Sequence, residues 1–134
     1  MRILNLYAGI GGNRKLWGDE HEITAVEYKQ DIADVYKQLF PNDTVIVADA
    51  HQYLLDHYKE FDFIWSSPPC PTHSRMQSMQ KIKSYPDMQL WQEIIFLTHR
   101  RKHDPWVVEN VIPYYKPFVK PATTIARHHF WSNK

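Results

Sequence analysis

Short apolar runs alternate along this chain with stretches whose apolar positions recur at helical spacing. The runs are residues 3–7, 22–27, 44–48, 61–65 and 106–109. Most are apolar on both faces, as expected of strands in a parallel sheet covered by helices on both sides. Between them, Ile32, Val35, Tyr36, Leu39 and Phe40 follow helical spacing and stop at Pro41. Leu90, Trp91, Ile94, Ile95 and Leu97 do the same, with Asp87 as a start signal and basic residues at the end. The alternation predicts right-handed strand–helix–strand units. The expected fold is therefore a doubly wound α/β domain, a mostly parallel twisted sheet with helices on both faces. No internal repeat, low-complexity tract or linker divides the sequence, so residues 1–134 are expected to form a single domain. Residues 127–131 read as one further strand. Residues 66–86 form the longest stretch without periodicity, and loops of that kind are often functional.

In an open α/β sheet, ligands bind beyond the carboxyl ends of the strands. Here those ends read Gly9-Ile10-Gly11-Gly12, Glu27, Asp49, the loop around Cys70, and Glu109-Asn110-Val111. Glycines directly after a first strand permit a tight turn and let backbone N–H groups approach a ligand, though strand-to-helix turns use glycine for geometry alone. Glu27 ends the second strand, near the interval of about 20 residues at which an acid grips a ribose. This order suits a nucleoside-bearing cofactor. The spacing is not the full dinucleotide fingerprint and no P-loop lysine pattern is present, which makes NAD and ATP weaker candidates. Asp49 suits either an adenine amino group or the cap of a helix over residues 51–57.

Composition narrows the chemistry. The formal net charge of +1 lacks the basic excess of a dedicated nucleic-acid clamp. Cys70 is the only cysteine, which excludes an intramolecular disulfide framework and points to the cytoplasm. No apolar run reaches the roughly 18 residues of a membrane span, and no signal-peptide pattern opens the chain. Cys70 lies in "SSPPCPTHSR", residues 66–75. A free cysteine is commonly a small buried hydrophobe, but this polar, proline-stiffened setting favours a reactive thiol. Arg75, Lys81 and Lys83 suit phosphate contacts or a solvated loop equally. Tyr7 and Tyr28 suit an adenine ring, or simple core packing. His99 and His103 are four apart, yet with no second cysteine nearby a metal site is not expected.

Taken together, "NLYAGIGG", Glu27-Tyr28, "ADAHQYL", "SSPPCPTHSR" and "VVENV" resemble, in order, the motifs of the cytosine-C5 DNA methyltransferases. The resemblance covers residues 1 to about 111 and is to the compact, phage-type catalytic core. It implies a Rossmann-like, S-adenosylmethionine-dependent methyltransferase fold. It assigns Cys70 as the nucleophile that adds to C6 of a flipped-out cytosine in DNA, with Glu109 and Asn110 completing the catalytic set. It assigns Tyr7, Gly9, Gly11, Gly12, Glu27, Tyr28, Asp49, Ala50 and Pro69 to S-adenosylmethionine, and it implies neither a metal nor a membrane.

The sequence departs from the family pattern at two positions. Asn5 replaces the aspartate common in the first motif, and Pro71 replaces the glutamine after the cysteine. A Gln-x-Arg-x-Arg segment and a target-recognition region are not found. The chain is accordingly expected to be a fragment, a reduced form, or one part of an enzyme whose second subunit supplies target recognition. Two other readings stay open: a non-catalytic cofactor- or DNA-binding remnant, and methylation of an exocyclic amine. "SPP" followed by an aromatic residue marks the amine chemistry, and Cys70 stands where that ring would be.

Overall fold

The computed structural model describes residues 1–68, 88–111, 117, 119–125 and 128–133. The chain divides into two compact units, Met1–Ser67 and Pro68–Lys134.

The first unit is built on four parallel strands: β1 (Arg2–Leu6), β2 (Glu22–Glu27), β3 (Thr44–Val47) and β4 (Phe63–Ser66). Their spatial order is β3-β2-β1-β4. β1 pairs with β2 and with β4, which accounts for Ile3, Leu4, Asn5 and Leu6 all being buried. A central strand has no solvent face, so it reads as a continuous apolar run rather than an alternating one. The chain steps outward from β1 to β3, then returns to place β4 on the other side of β1. In open α/β sheets a reversal of this kind is where ligands bind, beyond the carboxyl ends of the strands, here β1 and β4.

Helix α1 (Gln30–Leu39) packs on β2 and β3, and α2 (Ala50–His57) packs on β1 and β2. In α1 the buried line is Ala33 and Tyr36, continued by the half-buried Phe40, while Val35 and Leu39 are exposed. The inward face is thus narrower than the spacing suggested. Small Ala33 lets the helix approach the sheet, and the Tyr36 and Phe40 rings fill the space up to Ala8, Ala25 and Val45.

One buried polar cluster fixes the loops at this end. Arg14, on a short 3₁₀ turn (Arg14–Leu16), forks onto Asp43 through Nε at 2.7 Å and Nη2 at 3.2 Å. The Tyr36 hydroxyl donates to the same carboxylate at 2.6 Å, and Arg14 Nη1 donates to the Gly18 carbonyl at 2.7 Å. Fully paired in this way, an ion pair survives burial that would otherwise be costly.

The second unit contains α3 (Gln89–Arg100), β5 (Trp106–Val111) and a hairpin of β6 (Thr123–Ile125) and β7 (His128–Ser132). α3 buries Leu90, Trp91, Ile94 and Leu97 and packs on β5. Trp91 meets Trp131 of β7 edge-on, with ring centroids 5.5 Å apart. β7 lies between β5 and β6 and is antiparallel to both. The strand expected over residues 127–131 is β7. β6 was not expected, because three residues of Thr-Thr-Ile carry no readable alternation. Asn133 closes the turn ahead of β5: its amide donates to the carbonyls of Arg101 at 2.9 Å and Asp104 at 2.8 Å.

Candidate active site

The turn after β1 is shaped by backbone conformation. Tyr7, Gly9 and Gly11 have φ values of +56°, +57° and +90°. The left-handed region is open to glycine but costs a bulky residue such as tyrosine roughly 1–3 kcal/mol, and such residues concentrate at functional sites. Nothing in the sequence marked Tyr7 for this conformation. At Gly11 a Cβ would lie 2.5 Å from the Phe40 ring, so the glycine is demanded by packing as well as by φ. Gly12 is different. It has no positive φ and no neighbour within 4 Å of an added Cβ.

Glu27, at the end of β2, is tied to this turn. Its Oε1 accepts from the Gly9 N–H at 3.2 Å and its Oε2 from the Lys29 N–H at 2.8 Å. Two backbone donors therefore orient the carboxylate, and each oxygen keeps a lone pair for a further hydroxyl. Beside it, Tyr28 is largely exposed. Asp49 caps α2, its Oδ1 accepting from His51 N at 2.9 Å and Gln52 N at 3.3 Å. Of its two uses the cap is the one observed, and Oδ2 makes no bond among the described residues. Ala50, the first residue of α2, is buried.

Asn5 acquires a specific partner. Fully buried on β1, it accepts from Asn13 Nδ2 at 3.0 Å and donates to Asn13 Oδ1 at 3.4 Å. An aspartate there could not donate back, so Asn5 and Asn13 are matched to one another across the glycine turn.

In the second unit, β5 presents Glu109 and Asn110 on opposite faces, as successive residues of a strand must be. Asn110 is buried, and its Nδ2 donates to the Pro68 carbonyl at 2.9 Å. Its Oδ1 is buried without a partner among the described residues. Glu109 is mostly buried and meets the Nδ1 of His128 through Oε1. The pairing of His128 with Glu109 is not legible in the sequence, since antiparallel register is not visible in a single strand. Pro69 and Cys70 lie outside the described residues, as do Pro71, Arg75, Lys81, Lys83 and Asp87. α3 ends at Arg100, so His99 and His103 do not share a helical face. No group of three or more candidate metal ligands occurs among the described residues, and no helix there is long and apolar enough to cross a membrane.

Comparison with solved structures first defines the class. A hypothetical protein from Thermus thermophilus matches with a TM-score of 0.65 at 14% identity, over 98% of this chain and 73% of that one. A SAM-dependent methyltransferase from Agrobacterium tumefaciens matches with a TM-score of 0.58 at 15% identity, over 83% and 38% of the respective chains. The fold is the Rossmann-like α/β fold that S-adenosylmethionine-dependent methyltransferases adopt.

The family follows from a closer likeness. The family model for C-5 cytosine-specific DNA methylases matches residues 1–117, and the chain belongs to that family. A mutant form of DNMT2 from Spodoptera frugiperda is 30% identical with a TM-score of 0.59, over 82% of this chain and 35% of that one. The chain thus spans about a third of that protein's length. No curated protein matches this sequence.

Proposed function

We propose that this chain is a DNA cytosine-C5 methyltransferase that works through a covalent adduct between Cys70 and C6 of the target base. The observation that supports this reading most directly is the Asn110 Nδ2 bond to the Pro68 carbonyl. It links the Glu-Asn-Val strand to the head of the Pro-Cys segment within one unit, as a shared role in catalysis requires. The base cannot be reached inside a duplex, so the substrate is cytosine flipped out of the stack.

In this reading the Cys70 thiolate adds to C6 and the ring's electron pair shifts towards C5. Glu109 meets N3 and the exocyclic amine. Its carboxyl group, protonated from solvent, passes that proton to N3 as charge builds on the ring and takes it back when the adduct collapses. C5 then takes a methyl group, loses its proton to solvent base, and Cys70 leaves as thiolate when the C5–C6 double bond re-forms. When bound, S-adenosylmethionine supplies an electrophilic methyl group on a sulfonium. The residues after β1 and β2 fit its adenosyl part: Glu27 is a pre-oriented double acceptor for the ribose diol, Gly9 and Gly11 present bare backbone in the turn, and Tyr28 offers an exposed ring. Asp49 and Ala50 complete that set on α2, with Tyr7, Gly12 and Pro69 assigned to it by the family motifs.

DNA carrying 5-fluorocytosine tests the mechanism. Fluorine cannot leave C5 as a proton does, so the methylated adduct should persist. A covalent protein–DNA complex is expected by mass spectrometry, absent in Cys70→Ala and reduced at least about 10-fold in Glu109→Gln. Full methylation by Cys70→Ala would overturn the assignment, and methylation at N4 in place of C5 would favour the exocyclic-amine reading.

A further inference from the structure

The geometry points to His128 as a positioning residue for Glu109, an inference that rests on the role proposed for Glu109 above. β7 runs antiparallel to β5 with Glu109 opposite Phe130 and Val111 opposite His128. Glu109 and His128 therefore stand on the same face, one diagonal step apart, within reach of long side chains. The two meet through Nδ1 of His128 and Oε1 of Glu109. The next residue, His129, falls on the other face and is engaged elsewhere, its Nδ1 at 2.6 Å from Thr124 Oγ1. The contact to Glu109 thus belongs to one histidine of the pair, and strand parity selects which.

A carboxylate oxygen only accepts, so the proton of this hydrogen bond sits on Nδ1 of His128. That holds whether the ring is neutral or cationic, because Nδ1–H donates in both forms. Glu109 has three side-chain torsions to settle before it can grip a planar base at two points. With one lone pair of Oε1 held by His128, the carboxyl plane is fixed, and Oε2 together with the second lone pair of Oε1 is left for the two contacts to the base. A carboxylate free to rotate would hold the productive orientation only part of the time, and misplacement of a catalytic group by about 1 Å costs on the order of 100-fold in rate. His128 need not touch the base at all. Its partly exposed ring on β7 and the mostly buried carboxylate on β5 suit this division of work, with the anchor outside and the working group within.

Two measurements test the assignment. The first uses the chain without DNA or cofactor: long-range ¹H–¹⁵N NMR of the histidine rings, at a pH where they are neutral. A free imidazole favours the Nε2–H form, whereas His128 should show Nδ1–H and should revert in Glu109→Ala. An Nε2–H ring at His128 in the wild type overturns the inference.

The second measurement compares three substitutions. The amide nitrogen of asparagine lies two bonds from Cβ, as Nδ1 does, and that of glutamine lies three, as Nε2 does. His128→Ala should lower kcat, or the yield of trapped 5-fluorocytosine adduct, by about 10- to 100-fold with S-adenosylhomocysteine affinity unchanged. His128→Asn should restore most of this and His128→Gln little. Wild-type turnover in His128→Ala, with Glu109→Gln inactive, overturns the positioning role alone. Wild-type turnover in Glu109→Gln overturns the reading of Glu109 on which it rests, and the NMR result then reports the pairing independently.

Discussion

Gly11 and Gly12 are adjacent in sequence, yet the turn after β1 constrains them differently. Gly11→Ala meets both a φ of +90° and the Phe40 ring, and should destabilise the protein by about 2 kcal/mol or more. Gly12→Ala should stay within about 0.5 kcal/mol, and paired urea titrations compare the two directly. Tyr36 supplies a pH test. Burial first, and its hydrogen bond to Asp43 second, push the phenol above its usual value of 10.0. Beyond about pH 10 the unfolded chain gives up this proton while the folded one keeps it, so stability should fall as pH rises from there. Tyr36→Phe should cost about 1–2 kcal/mol at pH 8 and flatten that fall. Denaturation midpoints at pH 8 and about pH 10.5 check both, and identical slopes in the two proteins would contradict the account.

Among the elements, α2 separates two uses of one side chain. Asp49→Asn keeps an oxygen for the cap, whereas Asp49→Ala removes it and should cost about 1 kcal/mol of stability. If the carboxylate also contacts the cofactor, Asp49→Asn should weaken S-adenosylhomocysteine binding by calorimetry while leaving the melting temperature nearly unchanged. The strands of the first unit were legible within two residues because buried parallel strands are short apolar runs with turn residues at each end. The face of α1 was less so. Val35 and Leu39 fit the helical period, but the depth of the interface is set by Ala33 and by rings meeting the glycine turn, which no local pattern records. β6 was invisible for a related reason: its three β-branched residues favour an extended chain but are too few to show a period, and only pairing with β7 makes them a strand.

For the molecule as a whole, a net charge of +1 gives little long-range attraction to a phosphate backbone. The chain alone should bind duplex DNA weakly and with little sequence preference, and binding should fall further between 50 and about 200 mM salt. Fluorescence anisotropy with two unrelated duplexes measures this, and tight, selective binding at physiological salt would refute it. The candidate site was legible where it depends on residue type and strand end, as at Glu27 and Glu109. It was illegible where it depends on what pairs across the fold. Asn5 looked like a departure from the family until Asn13 lay beside it, and His128 was one of two adjacent histidines until register assigned it to Glu109.

The end of β5 places two neighbouring residues on opposite faces, Glu109 towards His128 and Asn110 towards the Pro68 carbonyl. Such an arrangement has a parity. Any single substitution along β5 changes one face and leaves the other readable, so its effects are graded. Losing or gaining one codon within the strand shifts every later residue to the wrong side and exchanges the two neighbours at once. Over generations this stretch of the gene would then tolerate changes of letter far better than changes of length, and natural variants should differ there by replacement alone.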